Sequence, residues 1–169
     1  RLCAPTGRAA QRMSESTGRT AVTIHRLLDY QPDGLGANYR NEKNPVDADL
    51  VVVDEMSMAD IRLFDMLLAA LKTGTKLILV GDVNQLESVG AGSVLNDLMG
   101  TSDLFIEKNR LTEVFRQKGG SPIIDNSQKI NEGNIHLHEC EDFQIIHTKC
   151  EEETLEQTKI LMQKLYNKD

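Results

Sequence analysis

Two adjacent carboxylates, Asp54 and Glu55, follow an unbroken apolar run, Leu50-Val51-Val52-Val53. Acids at the end of a buried strand can divide two tasks of phosphoryl chemistry. One holds Mg²⁺ directly or through water, and the next acts as general base on the attacking water. The same pair also reads as solvated turn acids ahead of a helix, with Ser57 as its cap. A second apolar run, Leu77-Ile78-Leu79-Val80, ends in Gly81-Asp82, and Gln85 follows. Two such strands side by side would set Asp54, Glu55, Asp82 and Gln85 on one rim, where open α/β sheets bind their ligands. A Gln there can orient a water or sense a terminal phosphate; its alternative role is ordinary loop hydrogen bonding. Arg116, followed by Gln117, is a candidate cation for transition-state charge, or else one half of a surface ion pair.

Positioning these groups requires a layered fold. Unbroken rather than alternating hydrophobicity in Leu50–Val53 and Leu77–Val80 predicts strands covered on both faces, as in a parallel sheet. Leu2-Cys3-Ala4 reads as the tail of another strand, ended by Pro5. Helical spacing predicts helices over residues 8–15, 23–28 with Thr23 as cap, 60–72, 93–99, 122–132 and 152–166. Leu104–Ile106 and Phe143–Ile146 are further strand candidates, and residues 29–49, rich in Gly, Asn, Asp and Pro, read as a long loop or small hairpin. Strands alternating with helices imply right-handed crossovers and a parallel sheet.

Composition bounds the function. The 169 residues suffice for a domain with a core, and 40% hydrophobic with 27% charged residues describes a folded rather than a disordered chain. The net charge of −7 argues against an isolated basic nucleic-acid binder, although Arg8, Arg12 and Arg19 supply local positive charge. No apolar run reaches the roughly 18 residues of a membrane helix. Three cysteines are too few and too odd in number for a disulfide framework, so a reducing, cytoplasmic setting is expected. The chain opens inside a strand-like run without Met or a signal peptide, which reads as a piece of a longer protein.

Taken in order, the segments resemble one family, the RecD-like superfamily 1B DNA helicases (the exodeoxyribonuclease V alpha-chain group). Ala4-Pro5-Thr6-Gly7-Arg8-Ala9-Ala10 resembles motif Ia, and Thr23-Ile24-His25-Arg26-Leu27-Leu28 the next DNA-contacting motif. Asp54-Glu55-Met56-Ser57-Met58 is similar to motif II, the Walker B element. Gly81-Asp82-Val83-Asn84-Gln85-Leu86, running through Ser88-Val89-Gly90-Ala91-Gly92, resembles motif III, and Leu111 through Gln117 resembles motif IV. The resemblance covers roughly residues 1–135, five motifs in register.

The resemblance implies a RecA-like P-loop NTPase fold and an ATP-dependent helicase moving 5′ to 3′ on single-stranded DNA, with ATP and Mg²⁺ as cofactors. Asp54 would bind Mg²⁺ and Glu55 activate water; Gly81, Asp82 and Gln85 would lie by the nucleotide, Gln85 coupling its γ-phosphate to DNA. Arg116 would touch the γ-phosphate, while Thr6, Gly7, Arg8, Thr23 and His25 would lie along the strand. Nuclease-complex subunits are possible partners, and a membrane is not. On this reading residues 1–150 form a partial first motor domain, truncated at its N-terminal phosphate-loop unit, and 151–169 a helix leading to a second lobe.

Two departures stand out. The family has Pro after the Gln-Leu of motif III, where this chain has Glu87, and no G-x-x-x-x-G-K-[ST] occurs in the 169 residues. Without that phosphate cradle the 169 residues are expected not to hydrolyse ATP alone. The alternative function is a non-catalytic DNA- or protein-binding module of the same fold. His136, His138, Cys140, His147 and Cys150 form a further cluster that could face a metal, but it lacks paired C-x-x-C spacing and reads first as surface histidines beside an edge strand.

Overall fold

β-branched runs and amphipathic spacing resolve into alternating elements: β1 (Leu2–Ala4), α1 (Gly7–Thr17), β2 (Ala21–Thr23), α2 (Ile24–Leu27), β3 (Tyr30–Gln31), β4 (Gly34–Leu35), β5 (Leu50–Val53), α3 (Ile61–Ala69), β6 (Lys76–Leu79), α4 (Val94–Gly100), α5 (Pro122–Asn131) and α6 (Glu151–Tyr166). The structure, a computed structural model, describes residues 1–31, 34–36, 38–102, 106–111 and 122–166. The chain divides into two compact units, residues 1–109 and 110–169.

In the first unit, β2, β1, β5 and β6 pair in that order, every pair parallel. Leu2 aligns with Ala21 on one side and with Val52 on the other, and Val53 aligns with Leu79. Alternate residues of a strand face opposite ways. Cys3, Val51 and Val53 therefore share one face, where they are fully buried with Ile24, Leu28, Met56, Leu63 and Leu67. That face is covered by α2 and α3. On the other face, Ala4 packs with Ala9 and Ala10 of α1 and with Ala21, small residues that let the helix approach closely. The same face beyond β1 carries Ile78 and Val80, exposed at 48% and 46%. The expectation of strands covered on both faces thus holds only in part among the described residues.

Strand β2 was not anticipated: Ala21-Val22-Thr23 is too short to show a period, and it exists because β1 offers a parallel partner. Within the expected loop, β3 and β4 pair antiparallel, Tyr30 opposite Leu35 and Gln31 opposite Gly34. Asp60, the expected first residue, instead caps α3 by accepting the Leu63 N–H at 2.7 Å, and the regular helix runs Ile61–Ala69, short of the expected end at 72. Ser57, the other cap candidate, lies in the turn Met56–Met58 and caps no helix.

In the second unit, Asn126 of α5 is fully buried. Its Nδ2 donates to the His138 carbonyl at 2.7 Å and its Oδ1 accepts the His138 N–H at 2.8 Å, so one amide pairs both backbone groups of one residue. The expected strand Phe143–Ile146 is a correction. Phe143 only bridges back to Cys140 across a tight turn, and residues 144–146 are not strand; among the described residues no ladder pairs with them. Residues 104–105 of the other short strand candidate lie outside the described residues. Helix α6 opens on Glu151-Glu152-Glu153, acids that suit a helix N-terminus, and none of its described residues is buried.

Candidate functional site

All four parallel strands end on one edge of the sheet, and the chain leaving each end carries a predicted site residue. Thr23 closes β2 in register with Ala4, and Thr6 lies two residues past β1. Asp54 follows β5, and Val80-Gly81-Asp82 follows β6. The parallel ladder extends past the strands: Asp54 N–H donates to the Cys3 carbonyl at 3.0 Å, and Val80 N–H to the Val53 carbonyl at 2.8 Å. Neighbouring strands in a sheet lie about 4.8 Å apart. The rim therefore runs Thr23, Thr6, Asp54 and Glu55, then Gly81 and Asp82.

The acidic pair sits on a sharp corner. Glu55 adopts φ 55°, ψ 39°, the left-handed region that a non-glycine residue rarely enters. This turns the chain straight from β5 into a 3₁₀ turn, Met56–Met58. Met56 is fully buried beneath it, and its N–H donates to the Val80 carbonyl at 2.9 Å, tying the acidic corner to the end of β6. Asp54 accepts the Glu55 N–H through Oδ1 at 3.0 Å, and both acids are partly exposed. Gly81 closes the seam from the other side. A Cβ there would stand 2.8 Å from Leu95 Cδ2 and 3.1 Å from both Met56 N and Ser57 N. The buried Ser57 hydroxyl in this seam has no hydrogen-bond partner among the described residues.

After Gly81 the chain turns through Asp82, whose Oδ1 accepts the Asn84 N–H at 2.9 Å and whose carbonyl accepts the Gln85 N–H at 3.2 Å. This leaves Asp82 and Gln85 exposed on the rim. Oxygen donors from one or two carboxylates suit Mg²⁺, which keeps most of its waters and takes substrate phosphates as further ligands. Asp54 and Asp82 offer such donors. Among the described residues no group of three or more His, Cys, Asp or Glu is arranged to hold a metal, the His136–Cys150 cluster included.

The two threonines have structural duties as well. Thr6 caps α1 by accepting the Ala9 N–H at 3.3 Å, and Thr23 caps α2 by accepting the Arg26 N–H at 3.1 Å. A capping hydroxyl uses its oxygen as acceptor and keeps its O–H as a donor. Gly7 and Arg8, exposed in the first turn of α1, present helix N-terminal amides on the same edge. Burial of Ile24 and Leu28 pins α2, so that His25 between them points outward, its ring 5.7 Å from that of Tyr30. Arg116 lies outside the described residues. Sequence reasoning missed Asp60 as a helix cap and the strained backbone of Glu55; a short polar residue directly before an apolar helical face was the signal for the former.

The family model described as an AAA domain matches residues 1–151. The chain is 44% identical over 132 residues to the ATP-dependent RecD2 DNA helicase of Deinococcus radiodurans, covering 78% of this chain and 18% of that protein. It is 40% identical over 114 residues to the RecBCD enzyme subunit RecD of Mycolicibacterium smegmatis, covering 58% and 21%. It is 31% identical over 140 residues to the ATP-dependent DNA helicase dda of Enterobacteria phage T4, covering 78% and 31%. The chain thus spans about a fifth to a third of the length of these relatives. A solved unliganded Pif1 from a Bacteroides species is 24% identical, with a TM-score of 0.39 over 57% of this chain and 25% of that one.

Proposed function

The chain belongs to the AAA domain family as a RecD-like member, and from that premise we propose that it carries the Walker B and motif III half of an ATP-dependent DNA helicase moving 5′ to 3′ on single-stranded DNA. The carrying observation is the shared rim, on which the acidic corner, the Gly81–Gln85 turn and the Thr6 and Thr23 caps follow consecutive strand ends. One edge serves both a phosphate chemistry and a strand path.

The proposed roles follow from chemistry. Asp54 holds Mg²⁺, a cation that when bound neutralises charge on transferring phosphates. Glu55, on the left-handed corner beside Asp54, takes the proton of the attacking water. Gln85, exposed on the adjoining turn, orients that water and reports the terminal phosphate to the strand path. Arg116 supplies positive charge to the γ-phosphate. The hydroxyls of Thr6 and Thr23, the first-turn amides at Gly7 and Arg8, the Arg8 guanidinium and His25 hold backbone phosphates, contacts that position a strand without reading its bases. Nuclease-complex subunits are proposed partners of the full-length protein.

No phosphate-loop motif occurs in these 169 residues, so they do not supply the β- and γ-phosphate cradle themselves. The 169-residue chain alone is expected to turn over ATP at background level. In the full-length protein, Glu55→Gln should lower DNA-stimulated ATPase by about 10²- to 10⁴-fold, the usual worth of a general base, and leave nucleotide binding in place. Full turnover by that variant would remove Glu55 from the base role. A wild-type protein that binds single-stranded DNA without ATPase would favour the non-catalytic module.

A further inference from the structure

Glu87 stands where the family has Pro, on a segment that leads from Gln85 to α4, and the structure shows what it does there. Ser93, at the N-cap position of α4, makes no capping bond to its own helix. Its Oγ donates instead to Glu87 Oε1 at 2.6 Å, across six residues. That bond closes residues 87–93 into a loop. Within it, Ser88 Oγ donates to the Gly90 carbonyl at 2.9 Å, and the Ala91 carbonyl accepts the Ile61 N–H at 3.0 Å, fastening the loop to the start of α3. Gly90 lies so close to Asp60 that an added Cβ would overlap its side chain. The loop is thus anchored at three points: to α3, to itself, and through Glu87 to α4.

We propose that Glu87 is a positioning residue, its carboxylate clasping Ser93 so that the 87–93 loop holds Gln85 at a set place between the nucleotide rim and the strand path. A proline stiffens a chain by fixing its own φ; here a side-chain hydrogen bond restrains the segment instead. The clasp also engages an acid whose free charge would face DNA phosphates. This inference rests on the helicase reading for its functional arm and on the chain itself for its structural arm.

The test separates hydrogen bond from charge. Glu87→Gln keeps an acceptor oxygen for Ser93 and removes the charge, whereas Ser93→Ala removes the bond and keeps the charge. Glu87→Ala removes both, and Ser93→Thr retains the donor. In the full-length protein, Ser93→Ala and Glu87→Ala should each raise the single-stranded DNA concentration needed for half-maximal ATPase stimulation several-fold, with KM for ATP nearly unchanged. Glu87→Gln and Ser93→Thr should stay close to wild type, and the double alanine variant should be no worse than either single, as for two groups serving one contact. Additive single effects, or a Glu87→Gln as impaired as Glu87→Ala, would overturn the clasp in favour of a charge effect.

The second readout needs no activity. Amide hydrogen exchange at residues 88–92 of this 169-residue chain should quicken about tenfold in Ser93→Ala and Glu87→Ala but not in Glu87→Gln. Unchanged exchange in both alanine variants would dismiss the clasp whatever the enzymology. Loss of all DNA-stimulated ATPase in the wild type, with the exchange pattern as expected, would fail the helicase reading and leave the clasp standing.

Discussion

Glu55 combines a proposed chemical duty with a backbone penalty. An L-residue in the left-handed region costs about 1–2 kcal/mol, and glycine escapes most of it. Glu55→Gly should therefore raise the stability of the fold by roughly 1 kcal/mol while removing the proposed base. Thermal melts of the two proteins alongside ATPase assays check both halves, and a lower melting temperature in the glycine variant would show that the corner is not strained. Asn126 illustrates the opposite case, a buried polar residue whose whole value is pairing. Asn126→Ala would leave the buried amide's two backbone partners on His138 without it, at about 1–3 kcal/mol for a group left unsatisfied. Denaturant titration should show that loss, and an unchanged midpoint would mean water replaces the amide.

At the scale of elements, the same residues that cap helices are the ones proposed to face a DNA strand. Thr6→Ala should weaken α1 by about 0.5–2 kcal/mol, the usual cost of an N-cap. Thr6→Asp keeps a capping oxygen but replaces the hydroxyl donor with a negative charge. It should preserve the melting temperature and weaken single-stranded DNA binding in an anisotropy titration of the full-length protein. If Thr6→Asp binds DNA as tightly as wild type, Thr6 serves the fold alone. Most helix boundaries were legible to within about two residues because spacing and caps are local signals: Gly7–Thr17 against an expected 8–15, and Val94–Gly100 against 93–99; the exception is Ile61–Ala69, three residues short of the expected end at 72. Strand β2 and the lost strand at 143–146 were not legible, since a strand exists only where another strand accepts its ladder.

For the molecule as a whole, Cys3 reports on the integrity of the sheet. It is fully buried on β1, and burial pushes its thiol up to about 12 from an ordinary value of 9.0. A raised folded-state value means the fold favours the neutral thiol. That contribution is complete below pH 9 and is lost as pH climbs from 9 towards 12. Stability should therefore fall over that alkaline window, and less so in Cys3→Ala. At pH 8 a thiol reagent should label exposed Cys150 rapidly and Cys3 only in denaturant, as mass spectrometry can read. Rapid native labelling of Cys3 would mean that β1 opens easily.

By itself the sequence determined the chemistry available and the class of fold. The Asp54-Glu55 pair, the Gly81-Asp82 turn and the two unbroken apolar runs carry that information locally, in residue types and spacing. The tertiary structure decided the neighbourhoods. Only strand order β2-β1-β5-β6 brings Thr6, Thr23, Asp54 and Asp82 to consecutive positions on one edge. Likewise, only the folded loop turns Glu87 from an acid in an awkward place into the acceptor for Ser93. The reason is physical: spacing along a chain fixes which way a side chain points within its own element, whereas ladders and packing between distant segments fix what it meets.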